Sequence, residues 1–183
     1  MDLSPTAYVI LGMLRNQPRS GYEIKQVVDN STRFFWAASY GQIYPELRRL
    51  EKAGLVEGES QPRGGRKRTV YRLTTAGRKE LRRWLSEPPE VFELRDEGLL
   101  KLFFADAAPA GKALEIIEAK RQLYERKLAR LREIEPFAAR GSDSDPYPFL
   151  VLRYGIASSE WAIDWCKQAR RELEKREQPR RAA

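Results

Sequence analysis

The chain has 183 residues, of which 42% are hydrophobic and 33% are charged, so it can build a core and is expected to fold as one moderate domain or two small ones. It contains no His and one Cys, which excludes an intrachain disulfide and leaves neither a His base near neutral pH nor a Cys/His metal cluster. The formal net charge of +8 lies entirely in residues 1–86, which carry 16 Lys/Arg and 8 Asp/Glu, whereas residues 87–183 carry 18 of each sign. We therefore expect a polyanionic partner for the first half.

The location and chemistry of the protein follow from what the sequence lacks. No apolar run reaches the roughly 18 residues that a membrane-spanning helix needs, and the N-terminus shows no basic segment followed by a long apolar stretch. With its single Cys166, the chain is expected to be a soluble protein of the reducing cytoplasm, without a membrane partner. The side-chain inventory disfavours catalysis, so we expect no enzyme activity, no cofactor and no metal site.

Capping signals mark the first two helices. Ser4 and Pro5 are an N-cap and a proline at the first helical position, and the nearly all-apolar residues 8–14 predict a buried helix. Residues 20–23, Ser-Gly-Tyr-Glu, form a capping box that opens a second helix to about residue 30. After it, residues 34–36, Phe-Phe-Trp, are expected to fill a helix–helix junction rather than to bind a ligand.

A short amphipathic third helix is predicted after Ser39. Ser39 and Gln42 repeat the capping-box pattern, Gly54 is a stop signal, and an apolar stripe recurs at spacings of four and three, at Ile43, Leu47 and Leu50. The opposite side combines phenols, an amide and guanidinium groups, which suit base edges and phosphates. An ordinary solvated helix face would show the same pattern.

Pro45 admits two interpretations. In the second turn of a helix capped by Ser39, it removes the backbone hydrogen bond to the carbonyl of Gly41 and distorts the helix start. Alternatively, the helix begins later, near Ile43. In both cases Tyr44 and Arg48 lie four residues apart on one face.

A basic hairpin and a fourth helix complete the first half. Residues 56–59 and 68–73 are β-like, and the second run alternates with period two. Between them, the Gly-rich residues 61–67 carry three cations and no acid, and Thr74 or Thr75 is expected to cap the fourth helix. This order is that of a winged helix-turn-helix, in which the third helix enters the major groove and the wing follows the backbone or the adjacent minor groove.

DNA contacts are therefore predicted on the third helix and the wing. Gln42 is able to make a bidentate pair with adenine, while Tyr40 and Tyr44 offer a phenol to phosphate or a ring to a thymine methyl. The wing cations are expected to bind phosphates without sequence preference. The predicted DNA-binding residues are Ser39, Tyr40, Gln42, Tyr44, Arg48, Arg49, Arg63, Arg66, Lys67 and Arg68.

The second half is predicted to be helical throughout. Residues 87–93, with paired prolines, are a linker between a DNA-binding domain at 1–86 and a helical dimerisation domain at 94–177, and residues 178–183 are expected to be a disordered basic tail. Residues 96–105 predict a short, largely buried helix. Long helices are expected from about residue 110 to 135 and from Pro146 to about residue 176, with Pro136 at the intervening loop.

The two long helices carry apolar seams that predict a homodimer. The residues assigned to dimerisation are Leu114, Ile117, Tyr124, Leu128, Leu131, Phe149, Leu152, Ile156, Ile163 and Cys166, with Arg121 as a polar break. The last helix has a second stripe that includes Tyr154 and Trp161, so it has more apolar surface than its own subunit readily covers. The alternative is a monomer whose last helix folds back entirely on the preceding one.

The chain resembles the PadR family of transcriptional regulators. The resemblance rests on residues 41–45, Gly-Gln-Ile-Tyr-Pro, followed by Leu47, Leu50-Glu51, Gly54-Leu55, Tyr71, Leu73-Thr74, Gly77 and Trp84, and on residues 20–24, Ser-Gly-Tyr-Glu-Ile. Residues 95–104 resemble the start of the longer helical C-terminal domain of the virulence-activator branch. The resemblance implies a homodimeric repressor, less often an activator, that binds double-stranded DNA at two-fold symmetric half-sites and is released by a small effector such as a phenolic compound.

Three further expectations complete the prediction. An effector, if there is one, is expected in an aromatic-lined cavity between the halves or at the dimer seam, with Trp84, Phe92, Phe103, Trp161 and Trp165 as candidates; the alternative, favoured for any single one of them, is that these aromatics are core residues only. The fold class is mainly α, with an N-terminal winged helix-turn-helix, a small β-hairpin wing and an all-helical C-terminal dimerisation domain. The alternative function is a winged-helix protein-interaction adaptor without specific DNA binding, against which the basic wing tip argues.

Overall fold

The computed structural model describes residues 3–63, 66–89 and 95–177, and for residues 62–63, 66–67 and 176–177 it describes the backbone alone. The chain divides into two compact units, Met1–Val91 and Phe92–Ala183. Most of the predicted linker at 87–93, the wing tip at residues 64 and 65, and the whole predicted tail lie outside the described residues. The fold class is confirmed: the chain is mainly helical, with a winged helix-turn-helix followed by a helical unit.

The first unit contains four helices and a three-stranded antiparallel sheet. Its elements are α1 (Pro5–Met13), β1 (Arg19–Ser20), α2 (Gly21–Asp29), a 3-10 turn (Thr32–Phe34), α3 (Tyr40–Lys52), β2 (Val56–Arg63), β3 (Arg66–Leu73) and α4 (Thr75–Leu85). The strand order is β1-β3-β2. The two-residue β1 was not predicted, because two residues show no periodicity; it exists because Arg19 pairs with Tyr71 and Ser20 with Val70.

The predicted caps are confirmed where the structure describes them. Ser4 accepts the Ala7 N–H at 3.2 Å, and the hydroxyl of Ser20 accepts the Glu23 N–H at 3.4 Å. Thr74, rather than Thr75, caps α4 by accepting the Gly77 N–H at 3.0 Å. Each cap satisfies a helix N–H group that has no partner within its own helix, so these residues define where the helices begin.

The wing strands are longer than the sequence suggested. β2 and β3 pair in register from Val56 with Leu73 to Arg63 with Arg66, so pairing continues into the segment expected to be the tip. The sequence of residues 61–67 does not alternate between apolar and polar residues, so period two gave no signal there.

One core holds the first unit together. α1 is buried on nearly all sides, as its composition predicts, and it packs against α3 and α4. The largest fully buried side chains of this unit are Ile10, Leu11, Leu14, Ile24, Val28, Ile43, Leu47, Leu50 and Val56. Burial of each of these side chains contributes about 1.5–3 kcal/mol. The core takes up the apolar stripe of α3, so most of the polar side of that helix stays at the surface and can make other contacts.

The expectation that the Phe-Phe-Trp segment fills a helix junction was wrong for two of its three residues. Phe35 is 60% exposed and Trp36 is 44% exposed, whereas Ala38, at 4%, occupies the buried position. The 3-10 turn ending at Phe34 directs the chain so that the small residue faces the core. The aromatic pair therefore lies on the surface of this unit.

The second unit is an antiparallel pair of long helices with a short helix beside it. Its elements are α5 (Glu97–Phe103), a 3-10 turn (Ala105–Ala107), α6 (Lys112–Arg140) and α7 (Pro146–Glu177). The expected end of α6 near residue 135 was wrong: the helix continues to Arg140 with Pro136 inside it, although Pro136 has no N–H to donate to the carbonyl of Arg132. Among the described residues, no helix combines the length and apolar character that crossing a membrane requires.

The predicted dimer seam lies inside a single chain. Ile117 and Leu131 of α6 are buried, and so are four assigned residues of α7: Leu152, Ile156, Ile163 and Cys166. The other four, Leu114, Tyr124, Leu128 and Phe149, are half-buried. Assigning the six buried residues to contact between two chains is therefore corrected, because α6 and α7 of one chain already cover them, whereas a dimer contact of the four half-buried residues stays a prediction. Periodicity identified the apolar stripe but could not identify what packs on it.

The second stripe of α7 remains exposed. Tyr154 is 75% exposed and Trp161 is 68% exposed, and the neighbouring Tyr147, Leu150 and Val151 are exposed as well. We call these five residues the α7 outer face. α5 also differs from its prediction as a largely buried helix, because Leu100 and Phe103 are exposed.

Candidate nucleic-acid interface

The start of α3 is fixed by Gln42. Its Oε1 accepts the Ser39 backbone N–H at 2.9 Å and the Ser39 hydroxyl at 3.1 Å. The helix accordingly begins at Tyr40, so the later start near Ile43 was wrong and Pro45 lies inside the helix. The predicted reading residues thus occupy its first two turns, which is where a recognition helix meets base edges.

Three tyrosines line the exposed side of this helix start. The rings of Tyr22 and Tyr40 are 6.3 Å apart between centroids, and those of Tyr40 and Tyr44 are 6.2 Å apart, with interplanar angles of 13° and 21°. We call them the tyrosine row. Lys25, which pairs with Asp29, places its Nζ 5.5 Å from the centre of the Tyr40 ring. Each ring is exposed, so the row presents phenol groups to the surroundings.

Sequence reasoning missed Tyr22 and Lys25. Both belong to α2, at positions three residues apart that share a helix face, and only packing of α2 on α3 brings that face next to Tyr40. The sequence did contain one signal, the aromatic Tyr22 inside the second capping box. Nothing in the sequence connected Tyr22 to the third helix.

The α3 cations lie on the exposed side, as predicted. Arg48 and Arg49 are both exposed, and the Arg49 guanidinium lies 3.6 Å from the Glu46 carboxylate. The Arg49 side chain is 77% exposed and that of Glu46 is 10% exposed. An ion pair so exposed to water contributes little to stability. Arg49 therefore remains available to a phosphate.

Arg68 differs from its prediction as a phosphate-binding cation. It forms an ion pair with Glu23 of the α2 capping box, and its side chain is only 27% exposed. The hydrogen bond from the Ser20 backbone N–H, followed by the contact with Arg68, holds the pKa of Glu23 below its ordinary value. Arg68 therefore anchors β3 to α2. The side chains of Arg63, Arg66 and Lys67 lie outside the described residues.

A second carboxylate anchors the other wing strand. The backbone N–H of Gly58, in β2, donates to Glu51 Oε1 at 3.1 Å. One strand of the wing is thus held by α3 and the other by α2. The base of the wing is fixed relative to the tyrosine row by these two contacts.

The candidate effector residues are not brought together within either unit. Trp84, of the first unit, stacks on Tyr8 with centroids 4.5 Å apart and an interplanar angle of 7°. In the second unit, Phe103 is exposed and meets Phe104 edge-on at 5.0 Å, Trp161 is exposed and Trp165 is half-buried. Phe92 lies outside the described residues. An open surface groove of about 410 Å³ on α6 and α7 is lined by charged residues instead: Glu118, Arg121, Lys167, Arg170, Arg171 and Glu174.

A polar cluster surrounds the stacked pair. The Tyr8 hydroxyl donates to Glu80 Oε1 at 2.9 Å, and Arg83 donates to Glu80 and, at 3.1 Å, to the Tyr8 oxygen. The Arg83 hydrogen bond lowers the pKa of Glu80 to about 2. Trp84 thus packs α4 on α1 beside the carboxylate of Glu80.

Known proteins match both units. The family described as "Transcriptional regulator PadR-like family" matches residues 10–83, and "Virulence activator alpha C-term" matches residues 94–174. The chain is 29% identical over 168 residues to the negative transcriptional regulator PadR of Bacillus subtilis, covering 86% of this chain and 91% of that protein.

Two crystal structures of that relative share the fold. Bacillus subtilis PadR in complex with operator DNA has a TM-score of 0.82 and 27% identity, covering 91% of this chain and 98% of that one. The same protein in complex with p-coumaric acid has a TM-score of 0.75 and 26% identity, with coverages of 94% and 99%. The exposed start of α3, the anchored wing and both family matches lead to one conclusion: this chain belongs to the PadR family of transcriptional regulators, in the branch with a virulence-activator-type C-terminal domain.

Proposed function

We propose that this protein is a homodimeric repressor that binds a two-fold symmetric operator and is released by a small aromatic effector. The observation that carries the proposal is the exposed start of α3, where Tyr40, Gln42 and Tyr44 lie together within residues 1–86, the segment that holds the whole positive excess. Phenols and an amide suit base edges, and the basic excess suits phosphates.

Each group has a distinct part in this proposal. The start of α3 enters the major groove, with Ser39 as its cap and the tyrosine row at its side. Arg48 and Arg49 neutralise phosphates beside the groove, and Arg63, Arg66 and Lys67 do so along the wing. Arg68 holds the wing in place through Glu23 instead of meeting DNA itself.

The second unit supplies the dimer. Two recognition helices must lie about 34–36 Å apart to meet successive turns of the major groove. The 32 residues of α7 extend about 48 Å at 1.5 Å per residue, enough to span that distance. The α7 outer face supplies the apolar surface that a second copy would cover, because α6 of the same chain leaves it exposed.

The effector proposal rests on chemistry and on the relative. Bacillus subtilis PadR has been crystallised with p-coumaric acid, which supports a planar aromatic effector here. Trp84, Phe92, Phe103, Trp161 and Trp165 remain the proposed contacts. The absence of His and the single buried Cys166 fit a protein of the cytoplasm, where operator and effector are both accessible.

The test is to recover the genomic DNA fragments that the purified protein retains. We expect inverted repeats with half-sites one helical turn apart, upstream of genes whose expression rises when the protein is removed. Retention should fall steeply with salt. Fragments without symmetry would contradict the dimeric operator, and genes whose expression falls would make the protein an activator.

A protein-interaction adaptor is the second candidate function. The exposed pair Phe35 and Trp36 favours it, because adjoining exposed aromatics are typical of protein contacts. Two results together would favour the adaptor over the repressor. The purified protein would retain no DNA at any salt concentration, and it would stably capture a protein partner that Trp36→Ala no longer captures.

A further inference from the structure

The hydrogen bonding of Gln42 restricts what it can read. We propose that Gln42 contacts its base through the amide nitrogen alone and therefore selects guanine rather than adenine. This inference rests on the proposed function, in which the start of α3 enters the major groove. It revises the expectation of a bidentate pair with adenine.

The orientation of the Gln42 amide follows from its neighbour. A backbone N–H can only donate, so the atom that faces the Ser39 N–H at 2.9 Å must be the oxygen, Oε1. The Ser39 hydroxyl donates to the same oxygen at 3.1 Å. Oε1 therefore accepts two hydrogen bonds within the helix start. The Nε2 group has no partner among the residues that the structure describes, and the Gln42 side chain is exposed.

The two purines differ in what they offer to such a group. Adenine presents N7 as an acceptor and N6 as a donor, so a bidentate contact requires both the oxygen and the nitrogen of the amide. Guanine presents two acceptors, N7 and O6, which match the two hydrogens of Nε2. Turning Oε1 to adenine N6 would leave the Ser39 N–H without its acceptor. The cap thus favours guanine at the position that Gln42 meets.

The chain contains an internal comparison. Glu23 caps α2 in the same way, with Oε2 accepting the Ser20 N–H at 2.8 Å and the Ser20 hydroxyl at 2.9 Å. A carboxylate therefore fulfils the capping role with the same geometry. What the amide adds at position 42 is a donor and the absence of negative charge, both of which suit an edge of acceptors between phosphates.

The experiment compares base preferences of the full-length wild type and Gln42→Glu on libraries with randomised half-sites. Wild type is expected to prefer guanine over adenine at one position per half-site by about tenfold. Gln42→Glu keeps the cap and replaces the donor by an acceptor, so preference there should shift to cytosine, whose N4 donates. Gln26→Glu, which adds the same charge on an exposed position of α2, should weaken binding without changing preference.

A second measurement needs no variant. Replacing the preferred guanine by 7-deazaguanine removes the N7 acceptor, and we expect wild-type affinity to fall several-fold, whereas the same replacement at other guanines not contacted by α3 should have little effect. A wild-type preference for adenine at the position that Gln42→Glu alters would overturn the inference, and so would unchanged preferences in Gln42→Glu. The proposed function fails only if wild type enriches no sequence and its binding shows no salt dependence. Failure of the Gln42 inference alone therefore differs from failure of the proposed function, because sequence enrichment and salt dependence would remain.

Discussion

The ring of Tyr44 lies directly on Gly21. A Cβ placed at Gly21 would be 2.7 Å from Tyr44 Cε1 and 3.0 Å from Cζ, so only glycine allows α2 and α3 to approach as they do. This contact fixes the ring of Tyr44 at one end of the tyrosine row, because the ring packs against Gly21, the first residue of α2.

Gly21→Ala is expected to displace Tyr44 and weaken operator binding about tenfold, with a loss of stability of about 1 kcal/mol from overpacking. Fluorescence anisotropy with labelled operator and urea unfolding measure the two effects. Tyr44→Phe is the control, because it keeps the ring on Gly21 and removes only the hydroxyl. If Gly21→Ala binds like wild type, the position of the ring does not matter for DNA.

Gly77→Ala should be among the most destabilising small substitutions in the first unit. A Cβ at Gly77 would overlap the backbone carbonyl oxygen of Leu55, which cannot move away as a side chain can. We expect a loss of about 3 kcal/mol in the free energy of unfolding, measured by urea titration. Gly12→Ala is the matched control: no atom lies within 4 Å of its added Cβ, and helix propensity should make it neutral or stabilising.

The salt dependence of DNA binding distinguishes an arginine that neutralises a phosphate from one that holds the wing in place. Arg49→Ala removes an exposed cation and should reduce the slope of log K against log salt by about one. Arg68→Ala should weaken binding while leaving that slope nearly unchanged, because Arg68 pairs with Glu23 and acts by holding the wing. A reduction of the slope by Arg68→Ala equal to that of Arg49→Ala would assign Arg68 to phosphate.

Glu80 predicts an acid-dependent loss of stability. Its folded pKa of about 2 lies below the ordinary 4.5, so the unfolded chain binds more protons between these values. The resulting stabilisation is fully present above about pH 4.5 and is lost as pH falls towards about 2. Allowing for solvent screening, we expect about 1 kcal/mol. Glu80→Gln should be less stable at pH 7 and should show a flatter dependence through this window in urea titrations; an unchanged slope would contradict the role of Glu80.

Substitutions on the two apolar stripes of α7 are expected to have different effects on sedimentation. Wild type should sediment at twice the 21.2 kDa of one chain. Trp161→Glu, on the α7 outer face, should give a folded monomer, because its side chain is already 68% exposed. Ile163→Asp should unfold the second unit instead, since Ile163 is buried against its own chain. Circular dichroism separates the outcomes, and a dimeric Trp161→Glu would remove the outer face from the interface.

The sequence alone determined the features that depend on neighbours along the chain. Ser4, Ser20, Ser39 and Thr74 mark helix starts because a cap acts over three residues, and the apolar stripe of α3 follows from helical spacing. The family resemblance was confirmed for the same reason, since its motif lies in these local segments.

Only the tertiary structure decided which surfaces meet. Glu23 and Arg68 are 45 positions apart, and no local pattern indicates that they pair. Periodicity found two stripes on α7 but could not show that the Ile163 stripe packs on α6 while the Trp161 stripe stays exposed. Tyr22 joined the tyrosine row only through the close packing of α2 on α3. The physical reason is common to all three: spacing defines the faces of an element, whereas the partner of each face is chosen by the packing of the whole unit.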